Sequence, residues 1–359
     1  MRPDVERWLQ RRTSAAADWP AERLLAAKGP ARVSVVLPAL DEEATVGALV
    51  RVVRRELVAA GGGNGLVDEV VVVDSGSTDR TVDVARTAGA DVYERGDVLP
   101  RVPPLPGKGE VMWRSLACTT GDVVVFVDAD LASFSSSYVT GLLGPLLTDR
   151  SVSLVKAAYE RPLRTVDGVV PTGGGRVTEL VARPLLNLHW PLLAGFVQPL
   201  GGEYAARRSL LERLPFPTGY GVELGLLVDA LGLVGLDALA QVDVGVRHHR
   251  HQDAQALGRM AATIYRTALE RLKSPEADAL ARPELVQFTR TASGFTPRST
   301  EVATVERPPM ASIPEYLAAQ QARQTQQCQQ SRQSRDARQA PPAPQAQGRA
   351  AGQEVCPHP

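Results

Sequence analysis

The sequence predicts an α/β protein with a mostly parallel central sheet. Three observations point there. Apolar runs of strand length alternate with stretches of helical periodicity. The runs are apolar throughout rather than at every second residue. The main ones end in polar signatures. A strand with apolar side chains on both faces must be covered on both, and helices flanking a parallel sheet do this.

The elements follow in order. Residues 1–30 read as a short helical arm. "ARVSVVLPAL" is a buried strand, Val33 to Leu37, closed by Pro38. In "DEEATVGALVRVVRREL" the residues Val46, Leu49, Val50, Val53 and Leu57 recur at helical spacing, and "AAGGGNG" ends that helix. "VDEVVVVDSGSTD" is a second strand running into a polar turn, with a helix expected from about Asp79. "ADVYE" gives a short third strand and "GDVVVFVDAD" a fourth. Ligands of such sheets gather at the carboxyl ends of the strands, where "PALDEE", "DSGSTD" and "DAD" lie.

The halves divide near residue 148, giving 31–148 and a second region over 149–281. That region holds glycine-rich turns, helical segments and "VGVRHHRHQ". In "LGRMAATIYRTALERL", the residues Leu257, Met260, Ala261, Ile264, Ala268 and Leu272 share one helical face. An extension covers 282–317. From about Ala318 the composition turns to Gln, Arg, Ala and Pro, so 318–359 is expected to be disordered beyond a short helix.

Composition excludes several classes. The 359 residues carry 40 Lys and Arg against 40 Asp and Glu, so nothing global favours nucleic acid or an anionic membrane. Neither a signal-like N-terminus nor a run of ~20 apolar residues is present, so no membrane span is expected. Cys118, Cys328 and Cys356 are too few and too scattered for a disulfide framework or a zinc motif. A cytoplasmic protein is expected.

The chemistry concentrates in a few stretches. "VVVFVDAD" delivers Asp128 and Asp130 to a strand end with Ala129 between them. Two carboxylates that close call for a cation or a sugar hydroxyl network; a solvated strand-end turn is the plainer reading. "DSGSTD" suits a helix start capped by Ser77 or Thr78 with Asp79 in the first turn. In "TGGGRVTE" the glycines let backbone N–H groups approach an anion, with Arg176 and Thr178 as added donors; a flexible turn is the alternative. "VGVRHHRHQ", read as a strand, puts Arg247, His249 and His251 on one face and His248 and Arg250 on the other. That face suits an anion, with or without a metal, and the local pattern does not choose.

The order of "VVLPALDEE", "VVVDSGSTD", "PGKGEVMWRS" and "VVVFVDAD" resembles the nucleotide-sugar half of GT-A glycosyltransferases, a Rossmann-like fold. "PGKGEVMWRSL", "TGGGRVTELVARPLL", "PLGGEYAARRSLL", "GYGVELGLLVD" and "QVDVGVRHHR" extend the likeness to the glucosyl-3-phosphoglycerate synthases of actinobacteria, over roughly Ala31 to Lys273.

The resemblance implies a retaining transfer of glucose from UDP-glucose to 3-phosphoglycerate with Mg²⁺ or Mn²⁺. Pro38, Ala39, Leu40, Glu42 and Ser75 would line the uridine pocket, with Lys108, Asp128 and Ala129 on the nucleotide-sugar. Asp130 and His249 would hold the metal. Gly175, Arg176, Thr178, Arg247 and His251 would bind the acceptor. Glu223 would meet the glucose hydroxyls, and Asp130, Glu223 and Thr178 form the expected catalytic set. His251 departs from the family, where an asparagine is expected. Transfer of mannose from GDP-mannose, and an inactive GT-A scaffold acting through the Gln-rich tail, are the competing readings. A homodimer is expected.

Overall fold

A computed structural model describes residues 1–58, 65–165, 168–173, 175–247, 253–273, 284–291, 294–302 and 304–339. Two units are distinguished, Met1–Tyr316 and Leu317–Pro359.

The first unit is organised by an eight-stranded sheet. Its strands are β1 (Thr13–Ala15), β2 (Val33–Ala39), β3 (Glu69–Asp74), β4 (Asp91–Glu94), β5 (Val123–Phe126), β6 (Leu154–Glu160), β9 (Tyr204–Arg207) and β11 (Leu239–Val246). The hairpin β7 (Pro162–Thr165) and β8 (Gly168–Gly173) forms a separate small sheet. The main order is β1-β11-β6-β9-β5-β2-β3-β4. Every pairing is parallel except those of β9, which runs antiparallel to both β5 and β6. The predicted mostly parallel sheet is therefore present.

The continuous apolar runs have the expected cause. Val36, Val71, Val73, Val124 and Phe126 pack on one face, with Met112, Trp113 and Leu116 of α5 (Lys108–Cys118). Val35, Leu37, Val70, Val72 and Val125 pack on the other, with Leu49, Val50 and Val53 of α3 (Val46–Leu57) and Leu142 and Leu143 of α6 (Ser137–Thr148). Adjacent residues alternate between two cores, so each strand must be apolar on both sides.

Several expectations need correction. The N-terminal arm is not only helical. After α1 (Pro3–Arg12), residues Thr13–Ala15 pair with Gln241–Asp243 as the edge strand, and α2 (Ala21–Lys28) follows. Trp8 anchors this arm, donating from Nε1 to the Leu239 carbonyl at 2.8 Å. The boundary near residue 148 does not separate two bodies, because β6, β9 and β11 share a sheet with β2 to β5. The helix expected from about Asp79 is α4 (Thr81–Thr87). Asp79 itself, rather than Ser77 or Thr78, supplies the side-chain oxygen there, accepting from Thr81 N at 2.9 Å.

The alternation expected along β11 also needs correction. β11 ends at Val246, with a register shift between Asp243 and Val246 where Gly245 takes φ 87°. The simple alternation assumed from Val244 onward fails there, because a bulge changes which face each residue presents. Arg247 N still bonds the Glu160 carbonyl at 3.0 Å. His248, His249, Arg250 and His251 lie outside the described residues.

The short helix α8 (Arg208–Leu211) follows β9, and helices α9 (Val222–Val234) and α10 (Ala254–Arg271) pack in the first core. Ile264 and Ala268 of the predicted α10 face are buried, and Leu257, Met260 and Ala261 pack beside them. Strand β10 (Phe216–Pro217) pairs with β14 (Glu306–Arg307) of the extension; a hairpin of β12 (Glu284–Thr291) and β13 (Gly294–Glu301) precedes β14. The last helix, α11, spans Pro314–Gln339, longer than the short one expected. Its Gln, Arg and Ala content is helix-compatible even without apolar residues to bury.

Candidate active site

The carboxyl ends of β2, β3 and β5 form one wall of a cleft of about 640 Å³. β2 supplies Pro38 and Ala39, followed by Leu40 and Glu42; β3 leads to Ser75; the chain beyond β5 supplies Asp128, Ala129 and Asp130. Local hydrogen bonds set these turns. Asp74 accepts from Gly76 N at 2.8 Å and Ser77 N at 2.9 Å. Thr45 Oγ1 donates to the Ala129 carbonyl at 2.6 Å, tying the aspartate turn to the start of α3.

Lys108 enters from the start of α5. The glycines around it are needed for close approach: a Cβ on Gly107 or Gly109 would collide with the backbone carbonyls of Thr218 and Pro217. Gly109 N instead donates to Thr218 O at 2.9 Å, which seats the loop against the turn preceding Glu223. Lys108 Nζ then bonds both Asp128 and Glu223, the latter at 2.8 Å. Burial works against the ammonium, but these two carboxylates outweigh it and lift the Lys108 pKa well above the usual lysine range. Glu223 lies in the first turn of α9, and its side chain is only 8% exposed.

Arg247 closes the floor. Its Nη2 lies 2.9 Å from Asp128 Oδ2 and 3.1 Å from Asp130 Oδ1, while Nε lies 2.9 Å from Glu203 Oε1. Burial opposes charge on Asp128, but Lys108 and Arg247 prevail and hold its carboxyl below the usual range. Asp130 shifts the other way, raised by burial and then by the charge of Asp128. The two aspartates have opposite shifts because Asp128 touches two cations and Asp130 touches one.

The glycine loop also lines this cleft. Gly175 (φ 74°), Arg176 and Thr178 line the same cleft; Arg176 is exposed and Thr178 buried. The chain from Thr178 to Ala182 takes one π-helical turn before α7 (Arg183–His189), a feature frequent at functional sites. Thus the described residues expected at the site line a single cleft. His249 and His251 lie outside the described residues.

Sequence reading assigned no role to Arg95, Tyr159, Arg161 and Gly202, which also line the cleft, or to Glu203 beneath it. Gly202 and Glu203 stand in "PLGGEYAARRSLL" ahead of the reversed strand β9. Only that reversal brings residues preceding a strand to the edge where other strands end.

The matches to known proteins agree with this geometry. Residues 34–168 match the family model Glycosyl transferase family 2. Glucosyl-3-phosphoglycerate synthase of Mycolicibacterium smegmatis is 49% identical over 307 residues, 86% of this chain and 98% of that protein. The chain belongs to the glucosyl-3-phosphoglycerate synthase family. A member from Petrotoga mobilis is 41% identical over 80% of this chain and 89% of its own length. A crystal structure of the Mycobacterium tuberculosis synthase in complex with Mn²⁺, UDP-glucose and phosphoglyceric acid superimposes with a TM-score of 0.72 at 47% identity. It covers 81% of this chain and 94% of that one. Another structure of that synthase, with Mg²⁺ and UDP, gives 0.74 at 45% identity, covering 83% and 98%.

Asp130 fits the metal such synthases carry. Its carboxylate is a hard oxygen donor at the cleft, with 35% side-chain exposure, and its partner here is already a cation, Arg247. Among the described residues no three His, Cys, Asp or Glu side chains converge as a ligand set. Nor is any described helix long and apolar enough to cross a membrane.

Proposed function

We propose that this chain transfers glucose from UDP-glucose to the hydroxyl of 3-phosphoglycerate, with retention at the anomeric carbon. One observation carries the reading: the Asp128–Ala129–Asp130 turn and the Gly175–Thr178 turn open into one cleft. A donor on the strand ends and an anionic acceptor on the glycine turn would meet there.

The residues divide the work by chemistry. Pro38, Ala39, Leu40, Glu42 and Ser75 offer a uridine pocket. Lys108 carries a positive charge beside Asp128 and Glu223, where it would stabilise the diphosphate. Asp128 and Glu223 offer carboxylate acceptors to sugar hydroxyls, and Ala129 leaves room for the nucleotide-sugar. Gly175, Arg176 and Thr178 would receive the acceptor's phosphate, with Arg247 and His251 at its carboxylate end. In the transfer the bond from the anomeric carbon to the diphosphate oxygen breaks. A bond to the acceptor hydroxyl forms on the same face, and the hydroxyl proton leaves with the diphosphate. Asp130 and His249 would hold Mg²⁺ or Mn²⁺, which supplies Lewis-acid stabilisation of the departing charge.

Purified protein supplied with Mg²⁺, UDP-glucose and 3-phosphoglycerate should release UDP and glucosyl-3-phosphoglycerate together. GDP-mannose at equal concentration should turn over far more slowly; the reverse preference would overturn the donor assignment. No release from either donor would favour the scaffold reading. A cytoplasmic homodimer belongs to the same proposal, and light scattering on the purified chain checks the dimer.

A further inference from the structure

Glu203 is fully buried, and its Oε1 holds Arg247 by Nε at 2.9 Å. It lies in the segment before β9, where its own carbonyl accepts from Ala157 N at 3.0 Å. The carboxylate is therefore mounted on the sheet rather than on a loop. Arg247 has 4% side-chain exposure, and its guanidinium carbon lies 5.7 Å from the centre of the Tyr159 ring. Packed in this way, the guanidinium cannot swing into solvent, and its direction is set by whatever binds Nε. With Nε taken by Glu203, the Nη2 side faces Asp128 and Asp130 at the cleft.

We propose that Glu203 is a positioning residue, whose buried carboxylate orients Arg247 so that the guanidinium presents its outer nitrogens to the acceptor. This rests on the reading above that Arg247 contacts 3-phosphoglycerate. Arg247 also bonds the two aspartates through Nη2, so three carboxylates share one guanidinium. Without Glu203, Nε loses its anchor and the guanidinium turns about its Nη2 contacts, away from the direction that serves the acceptor. The effect then falls on the acceptor first, because Nη2 keeps its bonds to Asp128 and Asp130 beside the nucleotide-sugar.

The test uses the full chain with Glu203→Leu, Glu203→Gln, Glu203→Asp and Arg247→Lys. It measures calorimetric binding of 3-phosphoglycerate to UDP-saturated protein, KM for both substrates, and melting temperature. Glu203→Leu should weaken 3-phosphoglycerate binding about tenfold or more, as expected for one lost charge-assisted contact, while KM for UDP-glucose stays within about twofold. Glu203→Gln keeps an oxygen that can accept from Nε and should recover most of that loss. Adding Glu203→Leu to Arg247→Lys should cost no further acceptor affinity, because the two residues act as one unit.

Equal weakening toward both substrates, or a lowered melting temperature with acceptor binding intact, overturns the proposal. So does a Gln variant as impaired as the Leu one. If Glu203→Leu does not fold, Glu203→Asp decides through acceptor binding, because it keeps the charge but draws the carboxylate back from Nε: a loss of about threefold or more supports the proposal, and none overturns it. Normal acceptor binding by Arg247→Lys would instead sink the acceptor reading of Arg247. Weak binding there beside a normal Glu203→Leu would sink only the role of Glu203.

Discussion

Lys108 joins Asp128 and Glu223 across the cleft, with Nζ 2.8 Å from Glu223 Oε1. One ammonium thus links the turn after β5 to the start of α9, and two carboxylates share its charge. Replacing it by methionine keeps the length but leaves those carboxylates facing one another without a cation.

Lys108→Met should therefore cut kcat/KM for UDP-glucose by about ten- to a hundredfold, the worth of one or two charge-assisted contacts. Steady-state kinetics with each substrate varied in turn gives the check. A variant within twofold of wild type would remove Lys108 from the donor site.

Asp130→Ala should abolish turnover while leaving the melting temperature within about 3 °C of wild type. The residue is partly exposed, and after its loss Arg247 keeps Asp128 and Glu203, so no buried charge is stranded. Titrating Mn²⁺ in the presence of UDP, followed by electron paramagnetic resonance, should show weakened metal binding. Normal rates at saturating Mg²⁺ would contradict the ligand assignment.

Gly202→Ala should inactivate without unfolding. A Cβ there would collide with both Asp128 carboxylate oxygens and with Lys108 Nζ, so the ion pair itself must move. The expected result is a fall in kcat of about tenfold or more with little change in denaturant midpoint. Gly232→Ala, where a Cβ has open space, serves as the control and should be neutral.

Two truncations should separate. Ending the chain after Leu317 should leave rate and melting temperature nearly unchanged. Ending it after Thr304 removes Arg307, which pairs with fully buried Glu110 at 2.6 Å, and Pro308, whose carbonyl accepts from Trp113 Nε1 at 2.9 Å. Both partners lie on α5, the helix that begins at Lys108. Glu110 keeps Arg114 Nε at 2.7 Å but loses its second cation, and the buried side chains of Met310 and Tyr316 are lost from the core, so this shorter chain should melt early and lose activity.

Lys156 sets a pH dependence. Burial pulls its pKa from 10.5 down to about 8, with Glu223 opposing; Lys108, Glu203 and Asp128 also face it. The unfolded chain therefore binds the extra proton between about pH 8 and 10.5, and stability rises with pH across that window. Below it both states are protonated and the penalty is constant. Burial lifts Tyr159 and Tyr204 as well, so their ionisation in the unfolded chain, from about pH 10, works against the rise at its upper end. Lys156→Met should flatten the rise by up to ~3 kcal/mol in denaturant titrations from pH 7 to 10. An unchanged slope would show that Lys156 stays charged in the folded protein.

The strands were legible because burial on two faces leaves a continuous apolar run, and the strand-end motifs were legible because they follow such runs directly. Less could be read where position depends on distant pairing. Thr13–Ala15 has no strand signature of its own and becomes a strand only beside β11. Arg247 read as an acceptor binder, yet its side chain sinks between three carboxylates that lie 44 to 119 residues away in sequence. Glu203 carried a motif but no role, since its function depends on a guanidinium that no local pattern connects to it. The bulge at Gly245 could have been suspected from a glycine inside an alternating strand.

The edge strand also constrains how the molecule comes into being. The first fifteen residues leave the ribosome before anything they pair with exists, since Trp8 and its partner Leu239 are 231 residues apart. Docking of this arm must be a late event, delayed by closure of a very long loop. Until then β11 is an open sheet edge, the kind of surface that templates aggregation. The arm is thus a cover fitted after assembly, and the strand it protects is the one that leads into Arg247.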